Sequence, residues 1–288
     1  MAYLYFCKVN INDEIYEVYK KKKKVADIVD HLIVNVNHDA CIDILDKKET
    51  IKFITLTSDI EKRFISGRLV KIFTDDLQIY NELTDDVEAL PREKLARICT
   101  FYFDAKTEIV AFTLGRYFGA KQFCSYFEQL INLCTEEGMF NVNLIQDKDV
   151  FREKLKRISK AQEIEIDLVA ENSCEEAINR VYANPKSLED MEANSLKLNY
   201  KAGKKGNGLN LENSYLQKFI DALGLGYIKF IKVIGKNVVG LTESITSDEK
   251  APKRYAIPDR EKLSIPAVHE HSQSFIPSIA RLISGNEK

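Results

Sequence analysis

The chain has no apolar run approaching the roughly 18 residues that a membrane-crossing helix needs. Its opening residues, Met1 to Asn10, carry no basic start followed by an apolar stretch and a small-residue cleavage site. Neither a membrane span nor a signal peptide is therefore expected. The six cysteines, Cys7, Cys41, Cys99, Cys124, Cys134 and Cys174, include no C-x-x-C pair. Their scatter speaks against a zinc or disulfide framework and for buried thiols in a reducing, cytoplasmic setting. Also missing are a G-x-S-x-G elbow, a Rossmann fingerprint and any nucleophile, base and orienting group at a known spacing, so no hydrolytic activity, cofactor or resident metal is expected. No internal repeat is visible, and a net charge of −2 argues against a surface uniformly coated in basic residues.

Hydrophobic residues make up 45% and charged residues 30% of the 288 positions, enough to bury a core beneath a well-solvated surface. Tyr3 to Ile11, aromatic and β-branched, reads as a strand, and Val25, Ile28, Val29, Leu32, Ile33 and Val36 recur at helical spacing. Strands follow at Cys41 to Leu45, Ile51 to Thr57 and Phe64 to Phe73. The acidic stretch after Asp75, with Pro91 near its end, reads as a surface helix or loop. Asp104-Ala105-Lys106-Thr107 joins Ile98 to Phe103 and Ile109 to Leu114 as a hairpin. Phe123, Tyr126, Phe127, Leu130, Ile131 and Cys134 form the most regular amphipathic helix.

Met139 to Ile145 reads as a strand and Asp149 as the cap of the next helix. Beyond it come a strand from Glu163 to Val169, a helix near Glu175 to Tyr182, a strand from Leu196 to Tyr200, a helix from Glu212 to Leu223 and up to three strands through Ile257. Helices interleaved with hairpins predict an α+β fold of two mixed layers of antiparallel-rich sheet and helices. The expected division is an N-terminal domain over 1–146, a C-terminal domain over 147–258 and a loosely packed tail over 259–288.

Charge is unevenly placed. Thr74 to Glu93 holds seven acids against Arg92, whereas Lys201 to Lys236 holds seven lysines against Glu212 and Asp221, so a near-neutral total can hide a basic patch. The helix expected from Asp149 carries Arg152, Lys156 and Lys160 four residues apart, with Arg157 beside them and Phe151, Leu155 and Ile158 opposite. Such a row can sit on phosphates, although a solvated helix face is its commoner meaning. The loop Gly203-Lys204-Lys205-Gly206-Asn207-Gly208, flanked by Lys197 and Lys201, lets backbone N–H groups approach an anion, and is as readily a flexible connection. No G-K-[ST] follows, so it is not a Walker loop. Lys20 to Lys24 is expected to be a mobile basic loop.

Glu163, Glu165 and Asp167 alternate with Ile164, Ile166 and Leu168, which puts three carboxylates on one strand face. Aligned acids can hold Mg²⁺ for phosphodiester cleavage, but cross-strand pairing with Lys197 and Lys201 is the expected arrangement. Gly224 to Phe230 is similar to the RNP1 strand of RNA-recognition motifs, yet Leu225 stands where a base-stacking aromatic is needed, and Gly224 reads as the end of a helix. His269 and His271 form an H-x-H pair with no further ligand nearby.

The order of these pieces resembles the RexA-like prophage exclusion proteins of abortive infection, or a related bacterial phage-defence family. The resemblance is carried by the opening strand, the helix at Val25 to Val36, the hairpin-like Ile42 to Thr57, the stretch Phe103 to Thr113 before an amphipathic helix, and Tyr182-Ala183-Asn184-Pro185 followed by Ser195 to Gly203. It implies a homodimer that binds double-stranded DNA and works with a separate membrane effector. Where those proteins are strongly basic this chain has Glu171, Glu175 and Glu176, so their DNA contacts do not carry over there. The resulting expectation is a non-enzymatic sensor or regulator that holds duplex DNA non-specifically through Arg152, Lys156, Arg157, Lys160, Lys201, Lys204 and Lys205. The alternatives are a metal-dependent nuclease using Glu163, Glu165 and Asp167, or a protein-interaction module using the acidic Thr74 to Glu93 surface.

Overall fold

A computed structural model describes residues 1–136, 138–170, 172, 193–203 and 206–283. It is an α+β fold built on two antiparallel sheets. The first grows from β1 (Ala2–Ile11), whose alternating side chains serve two cores at once. On one edge its early residues pair with β12 (Arg254–Ile257) and its later ones with β7 (Phe140–Leu144); on the other edge runs β6 (Ile109–Thr113). From β6 the sheet continues through β5 (Asp86–Asp104), β4 (Phe64–Asn81), β3 (Glu49–Asp59) and β2 (Cys41–Ile44). Cys7, Val9 and Ile11 face α1 (Ile15–Tyr19), α2 (Val25–Asn35) and α3 (Ala120–Cys134), while Leu4 and Phe6 face α7 (Ile265–Ile283). Both faces of this sheet are therefore covered.

The core under α3 is aromatic. Phe112 stacks on Phe123 with centroids 3.9 Å apart, and Phe101 meets Phe127 edge-on at 5.2 Å. The amphipathic spacing in the sequence accounts for this, because Phe123, Phe127, Leu130 and Ile131 recur every three or four residues and all are buried. Glu128 and Asn132, one turn apart on α3, close the outer edge of β7 by bonding Val142 N and Phe140 N, which protects an edge strand from stray pairing. Burial pushes the Glu128 carboxyl above its usual range despite the Val142 amide.

The second sheet runs β11 (Thr242–Thr246), β10 (Ile228–Asn237), β8 (Ile158–Val169) and β9 (Ser195–Lys201). Its inner face, Ile158, Ile164, Ile166, Leu168, Ile231 and Val233, packs on α4 (Lys148–Leu155) and α5 (Ser214–Asp221) through Phe151, Leu155, Leu216, Phe219 and Ile220. Its outer face carries no helix among the described residues. A short α6 (Ser247–Lys250) links β11 back to the first sheet. At the junction Gly226 has φ +84°, and a Cβ there would lie 2.5 Å from the Lys8 Cβ, so glycine is required by both conformation and space. Buried Asn10 donates to the Gly226 carbonyl, and the Gln146 side chain donates to those of Ile228 and Lys229.

Four expectations are corrected. The acidic stretch after Asp75 is neither helix nor loop: Asp75 pairs with Arg92 and Asn81 with Asp86, so β4 and β5 extend as one long ribbon. Backbone pairing of two strands already side by side continues past Phe73 through a one-step register shift, and Pro91 is tolerated because the ribbon has open edges. The cap of α4 is Asp147, which accepts from Asp149 N and Val150 N, two residues before the expected Asp149. The segment from 259 is not a loose tail: α7 buries Val268, Ile276 and Ile279 on the first sheet. Finally, β12, expected with the C-terminal half, belongs to the first sheet. The helix expected near Glu175 to Tyr182 and the Asn184-Pro185 segment lie outside the described residues.

Candidate nucleic-acid interface

The basic row expected along one helix does not exist as a row. α4 ends at Leu155, Lys156 is its C-cap, and Ile158 already begins β8, so Lys160 stands on a strand. Ile158, read by spacing as a helical residue, is an inward position of β8, as is Ala161. β-branched Ile158, Ile164 and Ile166 favour extended chain there. Arg152 points away from the others: it bonds Asp221 at 2.7 Å and Asp149 at 3.4 Å, and the Asp221 carboxylate raises its pKa.

The remaining basic residues do come together, by a route that strand topology supplies. β8 begins where β9 and β10 end, because both neighbours run antiparallel to it. Lys160 of β8 is the register partner of Lys236 of β10, and Glu163 is that of Lys201 of β9. Arg157 precedes the strand and Lys156 precedes Arg157, so Lys156, Arg157, Lys160, Lys201 and Lys236 gather at one end of the second sheet, all exposed. Three of them are partly neutralised: Lys156 meets Glu153 at 2.6 Å, Arg157 meets Glu243 at 3.7 Å and Lys201 meets Glu163 at 3.7 Å. Among the described residues no carboxylate pairs with Lys160 or Lys236. Like charges placed opposite one another in an antiparallel pair are destabilising unless something anionic sits between them.

The backbone beside this cluster is fixed. Leu209 N donates to the Ala161 carbonyl, Ala202 N to that of Gln162, and Ser159 Oγ to that of Lys236. Gly208, at φ +100°, lies against the Lys160 stem so closely that a Cβ would sit 3.0 Å from Lys160 Cγ. Between α4, the 209–212 segment and α5 opens a cleft of about 430 Å³ lined by Lys156, Ser159, Leu209, Asn210 and Gln217. Lys204 and Lys205 lie outside the described residues. Lys236 was missed as a site residue, although its alternation with Val233 and Ile231 along a strand already turned it outward.

The carboxylate row of β8 is paired as expected. Glu165 holds Lys197 at 2.5 Å, Glu163 accepts from Asn199 at 3.0 Å, and Asp167 has Lys197 as its register partner. The hydrogen bond that Lys197 donates to the Glu165 carboxylate raises the Lys197 pKa. Among the described residues no group of three or more potential ligands converges on a point that could hold a metal. His269 instead stacks on Tyr102 at 4.3 Å, and His271 meets Glu261 at 2.7 Å. Gly224, expected to end the helix, lies inside a 3₁₀ turn, Ala222–Leu225, and the left-handed residue that closes it is Gly226. Cys7, Cys99 and Cys124 are buried, Cys134 is half-buried and Cys41 is exposed; burial pushes the Cys99 thiol up to about 12. No helix among the described residues is long and apolar enough to cross a membrane.

Compared with known families, residues 46–270 match the family described as Domain of unknown function (DUF4747). No curated protein matches the chain. The matched span takes in most of the first sheet and the whole of the second, including every described residue of the basic end.

Proposed function

The chain belongs to the DUF4747 family, and on that premise we propose that it is a non-enzymatic protein that binds double-stranded DNA through its phosphates, at the basic end of the second sheet. The observation that carries this reading is the pairing of Lys160 with Lys236, two exposed ammonium groups held opposite each other and flanked by Arg157, Lys156 and Lys201. A polyanion offsets the repulsion between them and releases its own condensed counterions on binding, which gives affinity without sequence preference. No aromatic side chain joins the described cluster, so base stacking is not part of the proposal.

The resemblance to RexA-like exclusion proteins extends the proposal to phage defence, with the chain acting in the cytoplasm as a homodimeric sensor or regulator beside a separate membrane effector. That extension rests on the resemblance alone. A nuclease using Glu163, Glu165 and Asp167 is not favoured, because lysine and asparagine side chains already engage Glu163 and Glu165. The test is titration of labelled duplex DNA in excess chelator, followed by incubation with Mg²⁺ or Mn²⁺. Binding without divalent metal and an intact duplex afterwards are expected. Cleavage abolished by Glu165→Gln would overturn the proposal in favour of the nuclease.

A further inference from the structure

The β4–β5 ribbon has a feature that DNA binding leaves unused. β3 pairs with β4 only as far as Phe73, and β6 pairs with β5 only over Phe101 to Asp104. Past a register shift between Phe73 and Asp75, where Lys94 takes φ +59°, the two strands pair with each other and, among the described residues, with no other strand. A bulge of this kind adds twist and turns a strand pair away from its sheet. The base is clamped, since the Arg97 guanidinium lies 4.4 Å over Phe73 and 5.2 Å from the Tyr117 ring. From there residues 74–81 carry the ribbon outward by about 25 Å at roughly 3.3 Å per residue.

An isolated two-stranded ribbon is marginally stable in water and offers two open edges. This one also concentrates charge: Thr74 to Glu93 sums to −6 in a chain of net −2. At its tip Glu82, Asp85 and Asp86 are exposed, as are Tyr80 at 58% and Val87 at 52%. An exposed apolar tip ringed by acids matches a basic surface with apolar cleft walls. The basic end of the second sheet is such a surface, with Leu209 and Leu211 lining the cleft beside Lys156 and near Lys160, Lys201 and Lys236.

We propose that the acidic β4–β5 ribbon of one copy docks on the basic end of the second sheet of a second copy. Exchange of both ribbons makes the contact isologous and closes it as a two-fold dimer. The ribbon then occupies the surface to which DNA binding is assigned, so self-association and DNA binding compete. Docking itself depends on the described charges and not on whether DNA is the ligand.

The experiment is light scattering of the full chain across a concentration series, without DNA, at low and high salt. Twice the 33.0 kDa chain mass is expected at low salt, falling toward one chain mass as salt screens the contact. Glu82→Lys with Asp86→Lys, at exposed positions that leave the fold intact by circular dichroism, should weaken the dimer at least tenfold. Adding Lys160→Glu with Lys236→Glu to that variant should restore it. A chain that stays monomeric, a dimer indifferent to reversal at the tip, or a weakened dimer that the second reversal does not rescue would each overturn the proposal. DNA titration of the tip variant separates the two readings: if DNA is bound at least as tightly while the dimer is lost, both stand, whereas a tip variant that loses the dimer and still does not bind DNA removes only the DNA assignment.

Discussion

The two sheets spend their faces differently. The first is covered on both sides, by α1, α2 and α3 over an aromatic core and by α7 over a second cluster. Among the described residues the second is covered on one side only, over a core of Ile, Leu and Val with Phe151 and Phe219, and its other face and ends carry ion pairs and lysines without a carboxylate partner. A sheet buried on both faces has no surface left with which to meet a partner except its edges and extensions. The charged groups that can meet a polyanion are therefore collected on the half-covered sheet, while the fully covered one supplies rigidity and projects the ribbon.

If that division is right, damage to the two sheets should differ in kind. The largest expected effect is on the first: Phe123, fully buried and stacked on Phe112, leaves a cavity when replaced, so Phe123→Ala should cost about 3 to 5 kcal/mol. Urea unfolding followed by fluorescence or circular dichroism reads this, and a loss under about 1 kcal/mol would mean that the aromatic stack is not the scaffold described here.

A smaller effect is expected where the two sheets meet. Asp147 caps α4 and holds Lys253 at 2.9 Å. Burial disfavours its charge, but the Lys253 ammonium and the amides of Val150 and Asp149 outweigh that and keep its carboxyl below the usual range. A lowered native pKa means that the unfolded chain binds the proton more readily. The stabilisation is thus present above the ordinary carboxylate pKa and is lost as pH falls through the native value. Asp147→Ala should cost about 1 kcal/mol at pH 7, with the difference from the parent shrinking on acidification. A difference that stays constant down to the acid limit would show that the carboxylate charge contributes nothing.

Much of the first sheet was legible because its strands are rich in aromatic and β-branched residues and α3 has an unambiguous helical stripe. The ribbon was not legible, since Asp, Asn and Pro argue against strand locally and only its pairing with an established neighbour makes it extended. The same limit hid the site. The four-residue spacing of Arg152, Lys156 and Lys160 suits a helix, but alternation with period two from Glu163 onward makes a strand, and through bulges that strand reaches back to Ile158. Pairing of Glu163 and Glu165 with Lys201 and Lys197 was readable from alternation within two strands. The meeting of Lys160 with Lys236 was not, because it depends on which strand lies beside β8, and that is decided by tertiary packing across more than seventy residues of sequence.

The central claim is that the basic end of the second sheet holds DNA phosphates, and the measurement that tests it most directly is the salt dependence of duplex binding for the parent and for a variant with Arg157→Gln, Lys160→Gln, Lys201→Gln and Lys236→Gln. These positions are exposed, so stability should change by no more than about 0.5 kcal/mol per substitution. The parent should lose affinity linearly with the logarithm of salt concentration at about −0.9 per phosphate neutralised, and the variant should bind more weakly with a slope shallower by up to about 3.6. A variant that binds with the parent's affinity and the parent's slope would contradict the account.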